Sequence, residues 1–122
     1  MHWSTIREEL KVPTPTEPEV FPKSLFSLTG PCDPIRQGPN SGIKLDWETE
    51  CAIVIGRETQ DIVAEQAPGY IFGYVCLNDI SDRASQVDEY HQHHVVRVKS
   101  RPTYSPIGPW LATGIDAMDL DV

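Results

Sequence analysis

Two glutamates two residues apart, Glu48 and Glu50, sit inside the run DWETECAIVI. On an extended strand alternate side chains share a face, so these carboxylates point the same way, about 6 to 7 Å apart. Ala52 and Val54 lie on that face too, which draws at least one acid toward a core, while Thr49, Cys51, Ile53 and Ile55 take the other. Two like charges on a half-buried face raise each other's pKa and cost stability unless a cation joins them. A hard divalent ion is the natural remedy, because Mg²⁺, Mn²⁺ and Ca²⁺ take carboxylate oxygens. From spacing alone the commoner outcome is a strand edge whose acids face water. Asp79 closes a second apolar run, GYVCLND. An acid there suits a ligand, but alone it is better read as an Asx turn or helix cap before SDRAS. Lys99 ends VVRVK, where period two puts it beside Arg97. Next to a metal-carboxylate cluster its ammonium could hold a substrate carboxylate or an enolate oxygen; otherwise it is a solvated strand lysine. His91, His93 and His94 have a metal-binding composition, with a solvated loop as the plainer reading.

Strands must position these groups. Eleven prolines and eight glycines disfavour long helices and favour strands joined by irregular loops. Ser4 is a candidate N-cap for a short helix over residues 5–11. The stretch PTPTEPEVFPK that follows reads as an extended arm or loop. Alternation and flanking turn residues predict strands over residues 24–30, 46–55, 70–77 and around 110–113, with VVRV extended as well. Residues 30–42 read as loop. A short helix is expected over residues 61–67, stopped by Pro68 and Gly69, and one or two helical turns within residues 81–90. The expected class is mainly β with short helices. Cys51 and Cys76 fall in apolar strands, where a thiol is expected to be a small buried hydrophobe.

Composition excludes several functions. The 122 residues fit one domain of ordinary size. Ten Lys and Arg against eighteen Asp and Glu leave a formal charge of -8, which argues against nucleic acid and anionic membrane surfaces as partners. A hydrophobic content of 39% is enough for a core, so wholesale disorder is not expected. No run approaches the ~18 to 20 apolar residues of a membrane span, and the N-terminus lacks the apolar stretch of a secretory signal. Three cysteines without a C-x-x-C pair suit free thiols in a reducing compartment, so the expected location is cytoplasmic, with mitochondrial as the second choice.

In order along the chain, LDWETECAIVIGR, YIFGYVCLNDISDRASQ and VKSRPTYSPIGPWLAT resemble the fumarylacetoacetate hydrolase family. That family has an E-x-E strand ending in V-I-G, then G-Y-x-x-x-N-D-x-S-x-R-x-x-Q, then a K-S segment leading to P-x-G-P-W. An upstream P-x-x-F-x-K-like segment is echoed by VFPKS. The match covers most of residues 9–113. The resemblance implies a mixed β-sandwich or β-roll and a metal-dependent enzyme acting on short 2-oxo or 1,3-dicarbonyl acids. Its chemistry would be acylpyruvate-type C–C hydrolysis, or oxaloacetate-type decarboxylation or tautomerisation. Glu48, Glu50 and Asp79 fall on the family's carboxylate ligands of Mg²⁺, Mn²⁺ or Ca²⁺. Arg83 and Gln86 fall on residues contacting the substrate's polar end, and Lys99 falls on the lysine supporting the oxyanion or carboxylate. A homodimer is implied as well.

Departures from the pattern matter. The family's lid reads N-Y-x-x-H-x-x-E; here HWSTIREE places Glu9 on the acid but Ile6 where the histidine belongs. Isoleucine cannot move a proton, which weakens water-activated hydrolysis more than decarboxylation or tautomerisation. His2 or the 91–94 tract are candidate substitutes. Val98 stands before Lys99 where the family has glycine, Arg101 and Pro102 follow it, and Ala84 replaces an acid after the arginine. Residues 1–18 read as a lid-like segment with a Pro-rich arm, and residues 19–122 as the N-terminal portion of a catalytic domain. The family's later N-G-x-x-x-Q, L-x-P-G-D and T-G-T-P blocks lie outside the sequence, so the fold is expected to be incomplete, with uncovered sheet edges and apolar faces. The alternatives are a catalytically degenerate binding or assembly subunit and, more weakly, a metal-binding protein using the histidine tract.

Overall fold

In this computed structural model the described residues are 16–18, 20–38, 44–86, 95–117 and 120. The expected helix over residues 5–11, Glu9 and the histidine tract lie outside them. The longest elements follow the two apolar runs: β3 (Thr49–Ile55) and β4 (Ile71–Asn78) pair antiparallel from Thr49–Asn78 to Val54–Gly73, with an irregularity between Val54 and Ile55. β6 (Ser105–Ala112) pairs antiparallel with β4, and β1 (Leu28–Thr29) pairs parallel with β6. The resulting four-stranded sheet has the order β1-β6-β4-β3. β2 (Leu45–Asp46) and β5 (Ser81–Asp82) form a second, two-stranded antiparallel sheet. Among the described residues two short α-helices, α1 (Arg83–Gln86) and α2 (Val95–Lys99), complete a mainly β architecture of the expected class.

Period two holds along β3: Glu50, Ala52 and Val54 are half-buried while Thr49, Cys51, Ile53 and Ile55 are exposed. Gly73, buried in β4, lets β6 approach closely, since a Cβ there would stand 2.4 Å from the Ala112 carbonyl oxygen. Gly108 in β6 has φ 121°, a conformation that only glycine adopts readily. The Ser27 and Ser105 hydroxyls, 2.8 Å apart and buried, tie the start of β1 to β6.

Several expectations are corrected. Only Leu28–Thr29 of residues 24–30 is strand, because the Ser24 hydroxyl accepts the Phe26 N–H at 3.2 Å and starts a 3-10 turn, Leu25–Ser27. The run 46–55 is not one strand: Leu45 and Asp46 pair with β5, whereas Thr49 onward pairs with β4. The helix expected over residues 61–67 gives way to a 3-10 helix, Ala64–Tyr70, with Pro68 inside it. Asp61 at φ 53° is left-handed and cannot lie within a right-handed α-helix. VVRV is helical, in α2, where Val98 and Lys99 are buried and Val96 and Arg97 exposed; packing overrides the strand preference of β-branched residues. Cys51 and Cys76 are exposed, not buried, because each lies on the outward face of its strand.

Among the described residues the buried hydrophobic ones are Val75, Ile80, Val98 and Tyr104. Polar ones outnumber them: Ser27, Glu48, Asp79, Ser81, Asp82, Arg83, Lys99 and Ser105. Buried charge on this scale requires partners, and those partners form the candidate site.

Candidate metal centre and active site

Glu48 lies in the break between β2 and β3, Glu50 is the second residue of β3, and Asp79 directly follows β4. The Asp79 N–H donates to the Glu48 carbonyl at 2.8 Å, so the strand ladder sets these two acids opposite each other. One carboxylate oxygen from each of Glu48, Glu50 and Asp79 lies within 4.8 Å of the other two. The spacing argument and the resemblance therefore converge on a cluster that exists in space. The cap role weighed for Asp79 belongs instead to Asp82, whose carboxylate accepts the Ser85 N–H at 3.2 Å and the Ser85 hydroxyl at 2.8 Å at the start of α1.

The three acids are not neutralised alike. Glu48 Oε1 accepts from Ser81 Oγ at 3.0 Å, from Arg83 at 2.6 Å and from Lys99 Nζ at 3.0 Å. Asp79, 2% exposed, accepts from Lys99 Nζ at 2.5 Å on Oδ2 and from Lys23 Nζ on Oδ1. Glu50 has no hydrogen-bond or ion-pair partner among the described residues. Burial pushes its carboxyl above the ordinary glutamate range, the Asp79 and Glu48 charges add to that, and Lys99 and Lys23 pull the other way. A half-buried carboxylate with no counter-ion of its own, beside two others, is a donor set that fits a hard divalent cation.

The sequence profile of the fumarylacetoacetate hydrolase C-terminal domain matches residues 2–122. The chain belongs to the fumarylacetoacetate hydrolase family. It resembles the crystal structure of a 5-carboxymethyl-2-hydroxymuconate delta-isomerase from Mycobacterium smegmatis, with 34% identity and a TM-score of 0.75, over 90% of this chain and 42% of that one. It likewise resembles a 2-hydroxyhepta-2,4-diene-1,7-dioate isomerase from Mycobacterium marinum (39% identity, TM-score 0.76, 84% of this chain and 39% of that one). A fumarylacetoacetate hydrolase from psychrophilic Exiguobacterium antarcticum matches at 35% identity and TM-score 0.67, over 76% of this chain and 32% of that one. A Burkholderia cenocepacia protein whose name assigns it only to the hydrolases is 39% identical over 111 residues, 91% of this chain. The chain spans 38% of that relative's length.

Within this family member, the structure brings together Glu48, Glu50, Asp79, Lys99 and Arg83. Arg83 is anchored on carboxylates: its Nε donates to Asp46 Oδ2 at 3.1 Å and its guanidinium also reaches Glu48. Gln86 ends α1, its side chain outside the description, as is Glu9. Pro102 lies in the turn beyond Lys99, which still reaches both Glu48 and Asp79.

Three residues around the site escaped the sequence reading. Lys23, which also donates to the Tyr104 carbonyl at 3.2 Å, sits in the VFPKS segment that carried part of the resemblance without a role of its own. Phe21 from that segment faces Lys99, whose Nζ is 5.7 Å from the ring centroid. Asp46 extends the Glu48–Glu50 spacing by one further step of two, a signal that was present. A cleft of about 460 Å³ beside Pro68, Phe72, Tyr74 and Ile115 lies at the far end of β4 and includes none of the clustered acids, so the chemistry is assigned to the carboxylates and not to that cleft. No helix among the described residues is long and apolar enough to cross a membrane.

Proposed function

We propose that this family member binds a divalent cation, Mg²⁺ or in its place Mn²⁺ or Ca²⁺, through Glu48, Glu50 and Asp79, and acts on a short 2-oxo or 1,3-dicarbonyl acid. The observation that carries the reading is the convergence of three carboxylates of which one, Glu50, has no partner among the described residues. A divalent ion bound there would polarise the carbonyl of a 2-oxo acid as a Lewis acid. Lys99 Nζ, already held against Glu48 and Asp79, would set its positive charge where negative charge develops on the substrate oxygen. Arg83 keeps Glu48 oriented while contacting the substrate's polar end, with Gln86 beside it. Glu9 remains the candidate acid of the lid. With Ile6 in place of a lid histidine, decarboxylation or tautomerisation fits these residues better than water-activated C–C cleavage. A cytoplasmic homodimer completes the proposal.

Glu50→Ala tests it: titration calorimetry with Mn²⁺ should show binding to the unaltered chain and none to the variant. Equal affinity for both would sink the assignment. One observation favours a second reading, a catalytically degenerate binding subunit: Lys23 and Lys99 already supply two positive charges to the cluster. Turnover of oxaloacetate or an acylpyruvate clearly above that of Mn²⁺ in buffer would reject the second reading.

A further inference from the structure

On the outward face of the β3–β4 pair, Cys51 and Cys76 are directly opposed in the strand register, and both thiols are free and exposed. The class of this position follows from the ladder. The Asp79 N–H to Glu48 carbonyl bond marks Glu48 and Asp79 as a hydrogen-bonded pair. Antiparallel pairs alternate, so Thr49–Asn78 is non-hydrogen-bonded, Glu50–Leu77 hydrogen-bonded and Cys51–Cys76 non-hydrogen-bonded. Opposed residues at non-hydrogen-bonded positions have Cα atoms about 4.5 Å apart and the more closely approaching side chains. That separation lies within the ~4.4 to 6.8 Å that a disulfide spans. The β3–β4 register is regular from Thr49 to Val54, which keeps the two thiols opposed; the irregularity between Val75 and Leu77 belongs to the pairing of β4 with β6.

We propose that Cys51 and Cys76 form a reversible cross-strand disulfide, with a low-molecular-weight disulfide such as oxidised glutathione as the oxidant. One cysteine thiolate attacks the glutathione disulfide, giving a protein–glutathione mixed disulfide and releasing one glutathione thiolate. The second cysteine thiolate attacks the protein sulfur of that mixed disulfide, the Cys51–Cys76 bond forms, and the second glutathione leaves. The two protein thiols are oxidised by two electrons, one glutathione disulfide is reduced to two thiols, and the two thiol protons pass to the leaving thiolates. The bond staples together the strands that hold the carboxylates, since Cys51 follows Glu50 and Cys76 lies three residues before Asp79. The proposal does not depend on metal binding. Cys32, exposed in the loop after β1, serves as the internal control.

The test incubates the reduced chain with oxidised glutathione, blocks remaining thiols with iodoacetamide, and maps peptides by mass spectrometry without reduction. The expected product is a monomer in which residue 51 is linked to residue 76, the linked peptide pair being two hydrogens lighter than the two free-thiol peptides, with Cys32 alkylated or carrying glutathione. Dithiothreitol should reverse the link, Cys51→Ser and Cys76→Ser should each abolish it, and Cys32→Ser should leave it intact. A disulfide joining two chains through Cys51 or Cys76, or stable glutathione adducts on both, would overturn the proposal. As a second readout, oxidation should raise the melting temperature of the unaltered chain but not of Cys76→Ser; an equal shift in both would count against the staple.

Discussion

Glu48, Glu50 and Asp79 lie on the inward side of the β3–β4 pair, where Glu48 and Asp79 are buried and held by lysine and arginine. On the outward side Ile53, Ile55 and Phe72 are 54%, 56% and 56% exposed, and Trp110 in the same sheet is 81% exposed. Polarity is thus inverted across a single layer of strands: charge inside, apolar surface outside. The inward side is specified by pairwise interactions in which each group answers for another, so losing one leaves a buried charge unmatched. The outward side has had little apolar area removed from water, so its residues contribute little to the stability of this chain. Stability and the proposed function therefore rest on the same few residues on one side.

The largest expected effect comes from breaking the charged side. Arg83→Met removes a guanidinium that touches both Asp46 and Glu48. It should cost about 3 kcal/mol in urea unfolding, because Glu48 stays buried with one cation fewer. A loss under about 1 kcal/mol, the size of a surface pair, would mean that water reaches the cluster and the contrast between the two sides is weaker than the geometry indicates. Next comes Gly73→Ala, whose new methyl would collide with the Ala112 carbonyl and the Leu111 side chain. It should cost about 1 to 3 kcal/mol, the range of overpacking a tight contact, measured in the same denaturation experiment.

Glu50 sharpens the contrast, because it is the one acid of the cluster without a partner among the described residues. Its raised pKa means that the folded chain binds the proton more tightly than the unfolded chain does. Without metal, the contribution of Glu50 to stability is therefore highest below the ordinary glutamate pKa and falls as pH rises through the raised folded value. Glu50→Gln should remove that decline and raise the melting temperature of the metal-free chain at neutral pH, while losing any stabilisation by Mn²⁺. Melting curves across pH in the presence of a chelator check both; a variant no more stable than its parent at pH 7 would show that Lys23 and Lys99 already neutralise Glu50.

The inward side was legible in the sequence to different depths. Period two put Glu48 and Glu50 on a shared face, because a strand converts spacing directly into direction, but spacing alone favoured acids facing water and only the resemblance pointed to ligands. Asp79 did not, since its position was equally good for a cap, and only the order of several blocks pointed to a ligand. Lys99 does lie against the carboxylates, but on a different element from the one expected: VVRVK reads as strand, and its helix is imposed by packing of Val98 and Lys99. Lys23 was hidden because its contact with Asp79 spans 56 residues, and no local pattern encodes a pairing of that range. The cysteines were misjudged for a related reason. An apolar run shows that a strand has hydrophobic residues on both faces, but not which face its neighbours will cover.

The smallest expected effect belongs to the outward side and tests that last point. Trp110→Ser deletes the largest side chain on the exposed face, yet a residue 81% exposed has given up little contact with water on folding. The change should move the unfolding free energy by no more than about 0.5 kcal/mol, the range of ordinary surface substitutions. An exposed tryptophan in the same sheet as Ile53, Ile55 and Phe72 is also the group most sensitive to anything that covers it, because covering it would bury a large apolar area at once. Measuring the loss at several protein concentrations separates the two cases. A small, concentration-independent effect matches an open face, whereas a cost that grows with concentration means that copies of the chain shield it in solution, and the inversion of polarity then holds only for the isolated monomer.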